Sequence, residues 1–199
     1  MKGVFDFIVK PYNGTYNNKK KIGNSDLILN TEQQNHNYVN RIGIVVAEPQ
    51  DNNTGVKVGD KVIVHHNIFR RFKDIRGIEK NSKSYYKDDL YFVSLDQLYA
   101  YNRSGEWQSC KGFNFVKPIK ENKMFSIDFE KPLVGILYTV DEDLSNLSKG
   151  DLIGFRPGSE YEFLIEGKKL YRVQSNSITI KYGHQGNEEE YNTSWAQGS

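Results

Sequence analysis

Four short sequence blocks occur twice in the chain in the same order, and this repetition constrains the fold more than any other feature. The first block, Phe7–Pro11, aligns without gaps with residues 114–118. The other three pairs are residues 41–46 with 133–138, 58–64 with 149–155, and 90–93 with 170–173. The interval from Gly43 to Gly59 is 16 positions, and the corresponding interval in the second half is 15. The 199-residue chain is therefore interpreted as a tandem duplication with a boundary near residues 102–110.

The apolar segments of both halves are short, rich in β-branched or aromatic residues, and bounded by Gly, Asn, Asp or Pro. Such segments are typical of strands, and helical periodicity is almost absent. Strands are predicted at residues 4–9, 42–47, 61–65, 90–93, 113–116, 133–140, 152–155 and 178–182. A single helical turn fits within residues 95–101. The predicted fold class is all-β.

Two local features repeat with these blocks and have a physical explanation. A Gly-Asp pair, Gly59-Asp60 in the first half, precedes an apolar strand in each half. Gly can take positive φ and Asp can bond its own backbone, so each pair predicts a turn that sets the register of the next strand. Lys-Pro follows the first strand of each half and is expected to end it, because Pro cannot donate to a ladder. Each half is predicted to be a small, partly open barrel of about 90 residues.

Composition excludes several classes of protein. The formal net charge of +2 is too small to indicate a nucleic-acid binder by itself. Cys110, the single cysteine, excludes an internal disulfide framework and a cysteine-rich zinc site. The apolar stretch at the amino terminus is too short and too interrupted for a signal peptide or a membrane span. A soluble cytoplasmic protein is expected, and Cys110 is expected to be a plain thiol.

The two halves differ by two insertions in the first. A polar run carries 15 extra residues around an aliphatic triplet, Leu27, Ile28 and Leu29. A basic and aromatic segment, residues 65–87, carries 11 more. Long structureless loops inside small domains are uncommon and usually functional or disordered. Two interpretations of the triplet are open: a short edge strand packed on its own domain, or a mobile arm that docks into the groove of a partner.

Five segments carry a resemblance to a known family. They are the opening strand at residues 6–10, the arm with the triplet, the strand at 42–47, the turn and strand at 56–64, and the closing segment at 90–100. With these segments in this order, residues 1–101 resemble the GroES-type co-chaperonins, including their divergent phage-encoded relatives. The second half repeats the pattern more weakly to about Tyr182.

The resemblance implies two tandem GroES-like partly open β-barrels. Residues 1–105 would form the first, with a mobile loop at about 12–40, and residues 106–183 a degenerate second one. Residues 184–199 are expected to be a disordered tail. Leu27, Ile28 and Leu29 would bind the chaperonin.

The implied protein is not an enzyme and needs no cofactor or metal. Its partners would be a GroEL-type chaperonin that supplies the ATP-driven chemistry and an unfolded substrate, such as a phage capsid protein in the host cytoplasm. It would form a homo-oligomeric ring, with a heptamer favoured, and no contact with membranes is expected.

The chain departs from the family pattern in three places. It has two domains where most members have one, and only the first keeps a long arm. The roof hairpin is reduced to residues 48–54, which suggests an open dome. The insertion at residues 65–87 has no counterpart in the family pattern.

Three other functions are supported less well by the sequence. A phage structural or assembly protein could use the same barrel for oligomerisation. The catalytic domain of zinc alcohol dehydrogenases shares the barrel architecture, but the cysteine ligands and a nucleotide-binding half are absent. The basic and aromatic insertion allows single-strand nucleic-acid binding, although a solvated loop or a subunit contact is the simpler interpretation.

Two further clusters are predicted to be structural. His65 and His66 are expected to face opposite sides of a strand, which disfavours a shared metal. The acidic run at residues 141–143 lacks the remaining ligands of a calcium loop and is predicted to be a solvated turn.

Overall fold

Antiparallel strands make up nearly all the regular structure of this computed structural model, which confirms the all-β prediction. The structure describes residues 2–16, 19–22, 25–28, 39–121, 129–183 and 186–192. The chain divides into two compact units, residues 1–105 and 106–199. Within the described part of the chain, the helical segments are single 3-10 turns, such as Leu95–Gln97, inside the segment where one turn was predicted. No helix among these residues is long and apolar enough to cross a membrane.

The first unit contains the strands β1 Phe7–Pro11, β2 Lys19–Ile22, β3 Ser25–Ile28, β4 Ile42–Ala47, β5 Lys61–Val64, β6 Arg71–Lys73, β7 Glu79–Asn81, β8 Tyr85–Lys87, β9 Leu90–Val93 and β10 Leu98–Arg103. The second contains β11 Glu106–Ser109, β12 Phe113–Lys120, β13 Glu130–Thr139, β14 Leu152–Phe155, β15 Tyr161–Ile165, β16 Lys168–Gln174 and β17 Ile178–Lys181.

The two units are built on one topological plan. Six strands of the first unit lie in the order β10-β5-β4-β1-β9-β8, and those of the second in the order β17-β14-β13-β12-β16-β15. Position by position, each strand of the first unit has a counterpart in the second. The register is also shared: Val9 pairs with Val45 as Val116 pairs with Leu137. A register shift directly precedes Val9 and Val116 alike.

The apolar cores of the two units use equivalent positions. In the second unit, a buried cluster lies on four strands and consists of Val116, Leu137, Ile153, Phe155 and Val173. The equivalent residues of the first unit are all buried as well; they are Val9, Val45, Val62, Val64 and Val93. The alternation of apolar residues therefore orients the same strand faces inward in both units.

A glycine is required where the two central strands of each unit pair. A Cβ atom at Gly43 would lie 2.3 Å from Val9 Cγ1, and one at Gly135 would lie 2.5 Å from both Val116 Cγ1 and the Lys117 carbonyl oxygen. These distances are far below van der Waals contact, so the strands can pair this closely only without a side chain.

The Gly-Asp turns also have the same construction in both units. Gly59 and Gly150 have φ of +92° and +94°, which favours glycine. Asp60 accepts the Lys57 N–H at 2.8 Å and pairs with Arg103 of β10. In the second unit, the Asp151 carboxylate accepts the Ser148 N–H at 2.8 Å and pairs with Lys181 of β17. Each carboxylate thus closes its own turn and ties it to the last strand of its unit.

Part of the predicted tail, residues 186–192, lies along β12. Lys120 N–H donates to the Glu189 carbonyl at 2.9 Å, and Tyr191 N–H donates to the Pro118 carbonyl at 2.8 Å. Residues 189–191 therefore add main-chain bonds to β12, while the disorder expected for residues 184–199 stays a prediction. Lys-Pro ends β1 but not β12, which continues to Lys120 and pairs there with Glu130 of β13. Although proline cannot donate, the Pro118 carbonyl accepts a bond from the tail segment.

We expect Gly135→Ala to lower the free energy of unfolding of the second unit by about 1–3 kcal/mol, because the new methyl group would collide with Lys117 and Val116. Gly183→Ala is the matched control, since a Cβ there meets nothing within 4 Å. Chemical denaturation of both variants would test this. Equal stability of the two variants would show that the central strands separate without cost.

Candidate functional site

The aliphatic triplet predicted to bind a partner begins in β3. Leu27 and Ile28 belong to this strand, which pairs antiparallel with β2 so that Lys20 lies opposite Leu27 and Lys19 opposite Ile28. Leu29 lies outside the described residues. In the described topology, β2 and β3 form a two-stranded sheet of their own rather than an edge of the larger sheet.

The two ends of this insertion, residues 17–38, are joined by a clasp. Tyr16 and Val39 form an isolated antiparallel bridge, and Asn40 N–H donates to the Thr15 carbonyl at 3.0 Å. The buried Asn40 side chain donates to the carbonyls of Tyr12 and Gly14, the latter at 2.7 Å. The positions at which the insertion leaves and rejoins the unit are therefore fixed by main-chain and amide bonds.

Part of the second insertion, residues 65–87, has a counterpart in the second unit. Strand β8 pairs with β9 as β15 pairs with β16, so residues 85–87 complete the common plan. The addition specific to the first unit is the β6–β7 hairpin, residues 71–81, which again forms a separate two-stranded sheet. Both insertions thus carry a self-paired hairpin.

The β6–β7 hairpin is anchored by buried residues on the amino-terminal side. Ile68 and Phe69 are fully buried, and the Phe69 ring meets the buried Tyr91 ring edge to face at 5.0 Å. Ser82 Oγ donates to the Ile68 carbonyl at 2.5 Å, which joins the segment after β7 to the segment before β6. The hairpin therefore projects from a firmly packed base.

A tyrosine at the root of the first insertion also binds the root of the second. The hydroxyl of Tyr16 accepts the Arg71 N–H at 2.8 Å and donates to the Arg71 carbonyl at 3.3 Å. These residues are 55 positions apart in sequence. The two hairpins consequently arise from one joint.

The tip of the β6–β7 hairpin is held by one carboxylate. Asp74 Oδ1 accepts the N–H groups of Arg76 at 2.9 Å and Ile78 at 3.0 Å, and Asp74 Oδ2 lies 3.4 Å from Lys80 Nζ. The bonds from Ile78 and Arg76 lower the Asp74 pKa, with Lys80 adding to the effect. Gly77 has φ of +76°, which completes the turn.

This tip presents apolar side chains to solvent. Ile75 is fully exposed and Ile78 is 55% exposed, while Phe72, lower on the hairpin in β6, is 41% exposed. Residues 70–83 contain six basic side chains and two acidic ones. The exposed isoleucines of this tip can bury apolar area in a groove of a partner protein. The basic residues around them can then pair with acidic residues at the edge of that groove.

Two sequence predictions elsewhere are wrong. Strand β5 ends at Val64, so His65 and His66 lie in the following turn and their rings stack with centroids 4.2 Å apart. In the acidic run, Glu142 and Asp143 are exposed as predicted, but Asp141 is buried. It accepts hydrogen bonds from Gly112 N–H at 2.8 Å and Ser175 Oγ at 2.6 Å. Both errors arise because local pattern does not show where a strand ends or which loops meet.

Cys110 is buried, and burial together with the nearby Asp141 carboxylate raises its pKa to about 12. A thiol in this state is a poor nucleophile at neutral pH, as expected of a structural cysteine.

Sequence reasoning missed the clasp, the joint between Tyr16 and Arg71, and the tip isoleucines. The tip had a local signal, since Asp74 followed by Gly77 is a turn pattern between short strand-forming segments. The joint had none, because a tyrosine in a polar run shows nothing about its distant partner.

In comparisons with known proteins, no family model matches the chain and no curated protein matches its sequence.

We expect Tyr16→Phe to loosen the joint without unfolding the unit. Losing its hydroxyl bonds should lower the free energy of unfolding by about 0.5–1.5 kcal/mol and accelerate exchange of the Arg71 amide hydrogen. Tyr12→Phe is the control, because it removes a hydroxyl from an exposed ring in the same segment. Unchanged exchange at Arg71 would contradict the joint.

The tip turn should depend on ionised Asp74. Because its pKa in the folded chain is below 3.8, the bonds to Arg76 and Ile78 should be complete above pH 3.8 and weaken as pH falls through the lowered pKa. NMR titration of the carboxyl and of these two amides would measure this. Asp74→Asn keeps an acceptor and should abolish the pH dependence; a carboxyl titrating at or above 3.8 would contradict the assignment.

Proposed function

We propose that the chain is a tandem-domain co-chaperonin that caps a GroEL-type chaperonin ring and assists ATP-dependent protein folding. Each unit is taken as a GroES-like, partly open barrel, and the chain as a ring-forming cytoplasmic protein, phage-encoded and serving capsid-protein folding. The carrying observation is that Leu27 and Ile28 lie on a hairpin that pairs with itself, outside the large sheet of its unit.

The duplicated plan supports this proposal. Because both units share strand order and core positions, the second unit serves as an internal reference for the first. The hairpins β2–β3 and β6–β7 are additions to this shared plan in the first unit. An added hairpin that the common fold does not use is a natural place for a partner contact.

The expected binding free energy of one triplet favours a protein that binds through several copies of it. Burying the side chains of Leu27, Ile28 and Leu29 could contribute about 5–8 kcal/mol at most. Ordering the residues that carry them costs about 1–2 kcal/mol each, so one copy binds weakly. Several copies on one ring bind strongly through effective concentration, and weak single contacts still permit release.

The clasp is consistent with this role. Tyr16, Val39 and Asn40 hold the two ends of the insertion together between β1 and β4, so the hairpin is attached to the unit at one defined place. The phage structural or assembly protein remains the second candidate, and the experiment below separates the two.

We expect the full chain to co-sediment with a bacterial GroEL-type chaperonin in the presence of ATP, and Leu27→Ser/Ile28→Ser/Leu29→Ser to lose that binding. Val4→Ser/Val58→Ser is the matched control, because it removes exposed aliphatic side chains from the same unit. Binding that survives the triple change would move the contact elsewhere. Failure of the unmodified chain to bind its host chaperonin would favour the structural-protein candidate.

A further inference from the structure

We propose that the β6–β7 hairpin is a second docking element for the same chaperonin ring. It inserts Ile75 and Ile78 into an apolar groove whose rim is acidic. This inference rests on the proposed function. It adds a second contact site, on residues separate from the triplet Leu27, Ile28 and Leu29.

The exposure of the tip indicates a partner surface. Ile75 is fully exposed although Ile68 and Phe69 in the same insertion are fully buried, so the segment could have turned its apolar residues inward. The turn around Asp74 prevents this by holding the isoleucines at the apex. Because the tip is already ordered, docking costs little further conformational entropy.

Charge identifies the kind of groove. The basic residues around the tip outnumber the acidic ones by six to two over residues 70–83. Two of the cations are paired within the hairpin, Arg71 with Glu79 at 3.1 Å and Lys80 with Asp74 at 3.4 Å. The remaining excess would be repelled by a basic rim and attracted by an acidic one.

The joint identifies the partner as the one bound by the first insertion. Tyr16 bonds Arg71 through both main-chain groups of that residue, so the two hairpins arise from one place in the first unit. Their sequences are also alike: each combines basic with aliphatic residues, and in the first hairpin Lys20 pairs with Leu27 and Lys19 with Ile28. A surface that accepts one hairpin therefore suits the other.

Nucleic acid is a poorer fit to the apex. Single strands bind through stacking of bases on aromatic rings, and the apex presents isoleucines instead. Phe72 lies lower on the hairpin, in β6. The cations alone would support only salt-sensitive binding to phosphates.

The test compares four full-length chains by ATP-dependent co-sedimentation with a GroEL-type chaperonin. They are the unmodified chain, Ile75→Ser/Ile78→Ser, the triple serine variant of residues 27–29, and the Val4→Ser/Val58→Ser control. We expect the tip variant to lose at least about tenfold in apparent affinity, since it removes two aliphatic side chains that docking would bury. The control should bind like the unmodified chain.

The outcomes separate this inference from the proposed function. If the tip variant binds like the unmodified chain while the triple variant fails, the second docking element is overturned and the co-chaperonin proposal stands. If the unmodified chain does not bind, both fail. Salt-dependent retention of single-stranded DNA that Arg70→Gln/Lys73→Gln abolishes, without loss of chaperonin binding in the tip variant, would assign the hairpin to nucleic acid.

A crosslinking measurement gives an independent readout. A maleimide photo-crosslinker on Ile75→Cys should react selectively, because Cys110 is buried and its pKa is raised to about 12. Crosslinks to the chaperonin should form only with ATP present. Their absence, under conditions in which the labelled chain still co-sediments, would overturn the inference.

Discussion

The close pairing of the two central strands in each unit is the constraint on which the rest of the structure depends. Gly43 and Gly135 remove the side chain that would separate β1 from β4 and β12 from β13. The register of these pairs orients the valine, leucine and isoleucine side chains of the core inward. Each Gly-Asp turn then starts the next strand in phase and binds the last strand through an ion pair. Sheet order, core and turn chemistry thus agree with one another, as a single native fold requires.

Duplication makes it possible to separate scaffold from function. Positions shared by the two units are explained by packing, turns and strand pairing. The additions in the first unit are not needed for that plan, because the described strands of the second unit keep the plan although its sequence is shorter at both places. The β6–β7 hairpin also leaves two isoleucine side chains exposed to solvent, where they contribute little to the stability of the free chain. The additions are therefore the natural place to seek binding.

Local sequence pattern predicted much of the fold. The strands at Ile42–Ala47, Leu90–Val93 and Leu152–Phe155 lie where alternation and flanking turn residues indicated them. Pattern failed where a distant segment satisfied the backbone. β12 continues past Pro118 because Lys120 pairs with Glu130 of β13 and the Pro118 carbonyl accepts the Tyr191 N–H, and no feature near Pro118 predicts these bonds. The acidic run at residues 141–143 is predicted to be a solvated turn because it lacks the other ligands of a calcium loop, yet the Asp141 carboxylate accepts bonds from Gly112 N–H and Ser175 Oγ.

The sequence by itself determined the repeat, the positions of strands such as Ile42–Ala47 and Leu152–Phe155, the Gly-Asp turns and the location of both insertions. Each of these depends on local periodicity, turn chemistry or comparison of the two halves, which a single chain contains. Tertiary structure alone decided that Tyr16 bonds Arg71, that β8 completes the common sheet, and that the tail segment lies along β12. These contacts join residues far apart in the chain, so they depend on which strands become neighbours and at what register. That choice is made by burial of the whole core and leaves no local signature.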